Sequence, residues 1–197
     1  MPGFPADTVV DVEQIGERNW RLLREITYQG SREPFVAPVD METDFASVPR
    51  LFVWCIPRYG RYTKAAIIHD HLWRDEVAKG NISLRDADGL FRQAMRELGV
   101  PFLRRWMMWA AVRWAAAKKG GLTKDWWIEF PRLLLLTIVV LPIVAPPAIV
   151  ILLAILVLYV VERFAWLLLL LGKVLGRPLH VERGDKQVNA PSLSLKL

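Results

Sequence analysis

The sequence predicts an α+β protein in which a small N-terminal β-hairpin and loop region packs on a mainly helical domain. A C-terminal transmembrane helical hairpin is expected to follow. Strand-forming residues gather between positions 8 and 40, and apolar residues recur with helical spacing between positions 62 and 119. No charged residue occurs from Leu133 to Val161. This run of about 29 positions exceeds the roughly 18 apolar residues that indicate a membrane span.

These patterns divide the chain into three segments. Residues 1–120 carry charges every few positions and are expected to form the α+β domain. Residues 121–175 form a tryptophan-flanked membrane segment with a proline break at 142–147, and residues 176–197 form a polar tail. Within the first segment, Gln29-Gly30-Ser31 supplies a turn between two strands. Pro34 and Pro38 restrict the second strand to a sheet edge or a loop, because proline lacks a backbone N–H.

Three helices are predicted in the domain, at Tyr62–Arg74, from Ser83 onward, and at Phe102–Lys119. Ser83 and Asp86 have the spacing of a helix-capping pair, and Gly99 ends the second helix. On a helical wheel, His69 lies in the apolar stripe of the first helix, whereas Ile67 points the other way.

The apolar segment allows two arrangements. A continuous helix over the charge-free run would be about 43 Å long, which requires tilt or a kink. A hairpin turning near Pro146-Pro147 would place both basic flanks on one side of the membrane, as the positive-inside tendency favours. The hairpin is therefore the prediction, and a single span is the alternative.

The composition of the chain indicates which cellular compartment and which class of partner to expect. The net charge is +6 and the calculated pI is about 9.7, so an anionic partner is expected. The basic residues gather beside the apolar run, which favours a lipid bilayer with anionic head groups over nucleic acid. The only cysteine, Cys55, excludes an intrachain disulfide framework. The N-terminus lacks the basic and apolar regions of a signal peptide.

Several reaction classes lack their motifs. The sequence contains no Gly-rich phosphate loop, no Cys/His zinc pattern and no nucleophile elbow. What remains is a group of ionisable residues around His69. An inward imidazole needs a polar partner, and Asp88 lies at the edge of the inner stripe of the next helix. If the two helices pack antiparallel, His69 and Asp88 face each other. Asp88 then either orients His69 as a catalytic base, or forms a helix-to-helix hydrogen bond without chemistry.

Further residues extend this candidate site. Asp44 is a candidate catalytic carboxylate beside His69, although a turn or cap role explains it equally well. Asp70 is a candidate metal ligand, and a divalent cation held by Asp44, Asp70 and Asp88 is the only cofactor considered. Arg50 and Arg61 could bind a phosphate or pair with these carboxylates.

A series of residues on both sides of His69 carries a resemblance to a known family. They are Thr43, Asp44, Ser47, Pro49, Arg50, Tyr62, Ala65, Ala66, His69, Asp70, Leu72, Ala87, Asp88, Phe91, Ala94, Met95, Gly99 and Val100. With them, over about residues 15–118, the sequence resembles the domain-of-unknown-function family thirteen fifty-three, which is common in bacteriophages and prophages. The resemblance implies a phage or prophage origin and brings no established activity. The tryptophan-rich segment after residue 120 looks like an addition to the family domain.

A looser likeness suggests roles for three of them. A His-Asp pair on one helix and an Asp on a packed antiparallel helix resembles secreted phospholipase A2. By that likeness His69 would activate water, Asp70 would bind calcium and Asp88 would orient His69. The chain lacks the disulfides and the Gly-rich calcium loop of those enzymes.

Two functional hypotheses follow. The first is a membrane-anchored hydrolase that acts on lipid or cell-envelope material through His69. The second is a non-enzymatic phage membrane protein of the virion or tail, of morphogenesis or of lysis, whose His/Asp cluster is structural. Both place the protein in the inner membrane of a bacterial host, with its domain on the cytoplasmic side and with envelope proteins as partners. A place in the virion is the alternative.

Overall fold

A computed structural model describes residues 3–31, 33–120 and 122–174. Five short strands precede the helices: β1 (Val12–Gln14), β2 (Trp20–Leu22), β3 (Ile26–Gln29), β4 (Pro34–Ala37) and β5 (Glu42–Thr43). A 3-10 turn at Arg50–Phe52 leads to α1 (Thr63–His71), a π-helical turn (Leu72–Glu76), α2 (Leu84–Glu97), α3 (Phe102–Gly120) and α4 (Lys124–Val174). The predicted α+β class is confirmed.

The strands form two small antiparallel sheets. One has the order β1-β2-β5, and the other is the β3-β4 hairpin. The predicted turn after Gln29 is confirmed, and Pro34 begins a strand that lies at a sheet edge, as expected. The turn requires glycine at position 30, because a Cβ there would lie 2.6 Å from the carbonyl oxygen of Glu33.

Helix α1 lies in the centre of the domain. It contacts both strands of the β3-β4 hairpin on one side and α2 on the other. Four consecutive residues, Ala65 to Ile68, are therefore buried. The outward orientation predicted for Ile67 was wrong, because a helix covered on two sides has no apolar stripe of single direction. The predicted helix Tyr62–Arg74 also changes character at Leu72, where it continues as the π-helical turn.

Helix α2 begins and ends as the sequence predicts. The Ser83 hydroxyl oxygen accepts a hydrogen bond from the Asp86 backbone N–H at 3.1 Å. At the other end Gly99 has a φ of +69°, and the N–H of Val100 donates to the carbonyl of Met95 at 2.9 Å. This is the Schellman geometry, which fixes the direction in which the chain leaves toward α3.

Helices α3 and α4 pack against each other. The indole N–H of Trp126 donates to the carbonyl of Arg113 at 3.2 Å, and the guanidinium of Arg132 lies 5.9 Å from the ring of Trp106. The indole N–H of Trp114 donates to the hydroxyl of Thr137 at 3.2 Å. Trp109, Trp126 and Leu133 form a buried cluster between the two helices.

The predicted membrane hairpin is not what the structure shows. Helix α4 runs without interruption through 51 residues, and Pro131, Pro142, Pro146 and Pro147 lie inside it. A proline in a helix removes one hydrogen bond to the carbonyl four residues earlier, whereas a turn frees several backbone groups at once. The leucines on both sides form helix strongly, so losing one hydrogen bond at each proline is less costly than breaking the helix with a turn. The alternative of one continuous helix is therefore the observed one.

Helix α4 is the one helix in the described ranges that is long and apolar enough to cross a membrane. At 51 residues it extends about 76 Å. Large aliphatic side chains are exposed along it from Leu134 to Leu171. The polar tail predicted for residues 176–197 lies outside the described residues.

Candidate functional site

His69 of α1 and Asp88 of α2 contact each other directly. The imidazole Nε2 lies 2.8 Å from Asp88 Oδ1, so the predicted pairing of these two side chains is confirmed. Asp88 has no exposed surface, while the His69 side chain keeps 12% of its own. The imidazole also stacks on Phe91, with ring centroids 4.7 Å apart. The pair thus lies between α1 and α2, with its carboxylate sealed from water.

The second oxygen of Asp88 is bound by Arg113, one of the basic residues that precede the apolar run. Arg113 of α3 donates from Nη1 to Asp88 Oδ2 at 3.0 Å, and its side chain is only 3% exposed. Its spacing offered a signal, because Arg113 lies four residues after Trp109 and three before Ala116, both buried. An arginine in a buried stripe needs a carboxylate partner.

The contacts continue to α4. Arg113 Nε lies 3.0 Å from Glu129 Oε2, but its N–H does not point at that oxygen, so the contact is an ion pair rather than a linear hydrogen bond. The other oxygen of Glu129 accepts from Arg85 Nε at 3.3 Å. We call His69, Asp88, Arg113, Glu129 and Arg85 the charge network. From Asp88 to Arg85 the charges of the network alternate in sign, and the network joins α1, α2, α3 and α4.

The charge network is suited to holding helices together. A buried carboxylate with both oxygens bonded costs little, whereas removing one partner of such a pair leaves a buried charge uncompensated. Only the edge of the imidazole is accessible. No hydrogen bond to its Nδ1 is found in the described part of the chain. The site therefore contains an oriented histidine, but the carboxylate that orients it is already neutralised by Arg113.

Asp70 faces the other way, toward β5. Its Oδ2 accepts a hydrogen bond from the Thr43 hydroxyl at 2.8 Å, and the same hydroxyl oxygen accepts the N–H of Phe45 at 3.0 Å. Phe45 has a φ of +62°, a backbone conformation that residues other than glycine rarely adopt. Thr43 thus links the loop after β5 to α1.

Burial, with a smaller contribution from the nearby carboxylate of Asp44, raises the pKa of Asp70 to about 6. The hydrogen bond from Thr43 and the charge of Arg74, whose Nη2 lies 3.9 Å from Asp70 Oδ2, act in the opposite direction without cancelling the rise. Asp70 is thus protonated more readily in the folded chain than in the unfolded chain.

Asp44 does not join His69. Its Oδ2 accepts a hydrogen bond from the Ser47 hydroxyl at 2.6 Å, and its Oδ1 is buried without a hydrogen-bond partner. Within the described residues this side-chain bond to Ser47 is the contact that Asp44 forms. Asp44 is therefore grouped with Asp70 and not with Asp88.

The predicted cation site is not assembled. Among the residues that the structure describes, no group of three His, Cys, Asp or Glu side chains is placed to hold a metal ion. The physical reason is that Asp88 faces α3 and is bound by Arg113, while Asp70 faces Thr43. The shared ligand set of Asp44, Asp70 and Asp88 was therefore wrong.

The two predicted phosphate-binding arginines lie outside the charge network. Arg50 belongs to the 3-10 turn, and its Nε is buried without a hydrogen-bond partner. Arg61 is exposed and lines a cavity of about 450 Å³ at the start of α3. A smaller cavity of about 190 Å³ borders Arg113 and Trp126 beside the first turn of α2.

Residues 20–112 match the family model described as "Protein of unknown function (DUF1353)". This segment is just under half of the chain, and the resemblance found in the sequence is confirmed over it. No curated protein and no solved structure matches the chain significantly. His69 and Asp88 lie within the matched segment, whereas Arg113 and Glu129 follow it directly.

We expect Arg113→Met to destabilise the full-length protein by about 3 kcal/mol or more, because Asp88 would stay buried with His69 as its one remaining partner. Thermal unfolding in detergent, followed by circular dichroism, should show a Tm roughly 10 °C lower than that of the native chain. Arg96→Met, at an exposed arginine of α2, is the matched control and should change Tm little. Equal effects of the two substitutions would contradict the role assigned to the charge network.

We expect Asp70→Asn to change how stability depends on pH. Because the folded pKa of about 6 exceeds the usual unfolded value, the native chain gains stability as pH falls from about 7 to 4. The substituted asparagine keeps an acceptor for Thr43 but does not titrate. The variant should thus be more stable than the native chain at pH 7.5, by about 2 kcal/mol, and should lose that advantage by pH 4.

Tm measured across this range in one detergent provides the test. Asp7→Asn, at an exposed carboxylate, should show a difference from the native chain that does not vary with pH. A Tm difference for Asp70→Asn that is flat, or that grows on acidification, would refute the assignment.

Proposed function

We propose that this protein is a membrane-anchored, non-enzymatic phage-type protein, in which α4 fixes the family domain to the cytoplasmic face of a bacterial inner membrane. The observation that carries this proposal is the charge network. Arg113 joins Asp88 of the family domain to Glu129 at the base of α4. The His/Asp pair then serves to attach the domain rigidly to its anchor, and does not act on a substrate.

The surface of α4 supports insertion into lipid. Exposed aliphatic residues continue along the helix from Leu134 to Leu171, and Leu135, Val150 and Val157 are each more than 60% exposed. A helix that is apolar all round is stable only when it is buried in protein or in a membrane. Within the described residues, only 11% of its most apolar window is buried.

Aromatic and basic residues occur at both ends of the apolar run. Trp126 and Trp127 precede it, and Arg163 lies 5.4 Å from the ring of Tyr159 and 5.8 Å from that of Trp166. Such residues favour the head-group layers. From Arg132 to Tyr159 the helix rises about 40 Å, which matches a bilayer with its head groups.

The basic flanks indicate the orientation. In a single span the two flanks lie on opposite sides, so the side with more Lys and Arg should be cytoplasmic. Arg104, Arg105, Arg113, Lys118, Lys119, Lys124 and Arg132 precede the apolar run, and Arg163, Lys173 and Arg177 follow it. This excess supports a cytoplasmic domain close to anionic head groups, where phage or host envelope proteins would be its partners in the virion, in morphogenesis or in lysis.

A hydrolase is the second candidate. It is favoured by the bond from Asp88 to His69 Nε2, which leaves Nδ1 as the basic nitrogen. Two features oppose it. Asp88 is neutralised by Arg113, and Asp44 bonds to Ser47 rather than contributing to the histidine site. The non-enzymatic proposal accounts for all of these contacts.

Membrane integration is tested with the full chain expressed in a bacterial host. It should stay in the membrane pellet after alkaline carbonate extraction, and protease should reach its domain in inverted vesicles but not in intact spheroplasts. Ile143→Arg together with Ile149→Arg should reduce the integrated fraction severely, because each arginine costs about 3 kcal/mol near the centre of a span. Val9→Arg with Leu23→Arg, at exposed positions of the domain, should not. Carbonate release of the native chain would refute the anchor.

The absence of hydrolysis is tested separately. Purified protein is incubated with phosphatidylglycerol vesicles, with and without calcium, and released fatty acid is measured for the native chain and for His69→Gln. We expect the two to release equal, background amounts. Release that depends on His69, with the Tm of the variant near that of the native chain, would overturn the non-enzymatic proposal in favour of the hydrolase.

A further inference from the structure

A second site lies away from the charge network, at the start of α3. A cavity of about 450 Å³ opens there, and its lining includes Tyr59, Arg61, Tyr62, Val100, Pro101 and Arg104. The cavity has two arginines and no carboxylate among its lining residues. It is large enough for a head group and is cationic, so it fits an anionic ligand.

Both arginines are available to a ligand. Within the described chain, neither Arg61 nor Arg104 forms an ion pair or a hydrogen bond, and both are exposed. Arg104 acts electrostatically on Tyr62, where its charge opposes the rise in pKa that burial causes. Its guanidinium therefore lies near the cavity wall and keeps its donors free.

The surroundings of the cavity are apolar. Phe102 and Leu103, in the first turn of α3, are 67% and 45% exposed, and Tyr59 and Trp54 on the neighbouring loop are 71% and 46% exposed. Arginines above exposed aromatic and aliphatic side chains form the composition that binds membrane interfaces. A soluble anion would need the arginines but would not account for this apolar surface.

The position along α4 agrees with a membrane surface. Arg132 lies 5.9 Å from the ring of Trp106, and that ring packs against Phe102 with 6.0 Å between the ring centroids. Arg132 is the last charged residue before the charge-free run. The 3-10 turn at Arg50–Phe52 also contacts α4. The cavity therefore lies at the level where the apolar surface of α4 begins.

We propose that this cavity binds the phosphate of an anionic glycerophospholipid from the leaflet in which α4 is anchored. Arg61 and Arg104 donate to the phosphate oxygens, and the acyl chains lie against Phe102, Leu103 and the apolar face of α4. The inference rests on the proposed membrane anchoring. It adds that the domain is seated in the head-group layer at a defined lipid site, and is not merely tethered above the surface.

The test uses the full-length protein in detergent and native mass spectrometry, with soluble dihexanoyl phosphatidylglycerol as the probe. We expect one bound lipid, with Kd at least 10-fold weaker in Arg61→Gln/Arg104→Gln, since each arginine supplies charge-assisted hydrogen bonds. Arg24→Gln/Arg96→Gln removes the same charge at exposed positions elsewhere and should leave Kd within about 2-fold. An unchanged Kd in the pocket variant would overturn the proposal.

Two further probes identify the source of the phosphate. Inorganic phosphate at 100-fold excess should not displace the lipid, and dihexanoyl phosphatidylcholine should bind at least 10-fold more weakly, because its head group is neutral overall. Displacement by phosphate would identify a free-phosphate site, and equal binding of phosphatidylcholine would remove the anionic selectivity. Either result overturns the proposal.

Carbonate extraction of the same variants separates this proposal from the anchoring it rests on. Integration of both the native chain and the pocket variant, with loss of lipid binding only in the latter, supports the lipid site. Integration with no arginine-dependent binding refutes the lipid site alone. Release of the native chain from the membrane refutes the anchor itself.

Discussion

The contact between Asp88 and Arg113 is the interaction on which the arrangement of the helices depends. Asp88 is fully buried and would be unstable as an ion without a cation beside it. His69 and Arg113 approach its two oxygens from opposite sides, so α1 and α3 are both fixed relative to α2. Because Arg113 also pairs with Glu129, the position of α4 follows from the same carboxylate. One aspartate therefore links the family domain to the long apolar helix.

Much of this could be predicted from local sequence. The caps of α2, the turn after Gln29 and the contact of His69 with Asp88 each depend on a few neighbouring residues or on the packing of adjacent helices. Arg113 was missed because composition places it in a basic cluster, and a charge count does not tell which arginine points inward. Asp44 was misplaced for a similar reason, since its Oδ2 bonds to Ser47 in its own loop, a partner that the position of Asp44 in the sequence does not reveal.

The two remaining errors concern surroundings that a local pattern does not contain. Ile67 is buried because the β3-β4 hairpin covers the side of α1 that the wheel assigned to solvent. The prolines at 142–147 suggested a turn, yet α4 continues through them. A turn there would free backbone N–H and carbonyl groups that have no other hydrogen-bond partners in an apolar segment. In both cases the conformation or burial of a residue depends on the surrounding structure, and the residue type alone does not determine it.

The continuity of α4 has a mechanical consequence. Ion pairs and tryptophan packing clamp the helix at its base, and Pro142, Pro146 and Pro147 are the points beyond this clamp at which it can bend. Helices adjust their tilt to bilayers of different thickness. If α4 is anchored as proposed, a bend at these prolines absorbs part of such an adjustment, and only the remaining angle rotates the clamped domain.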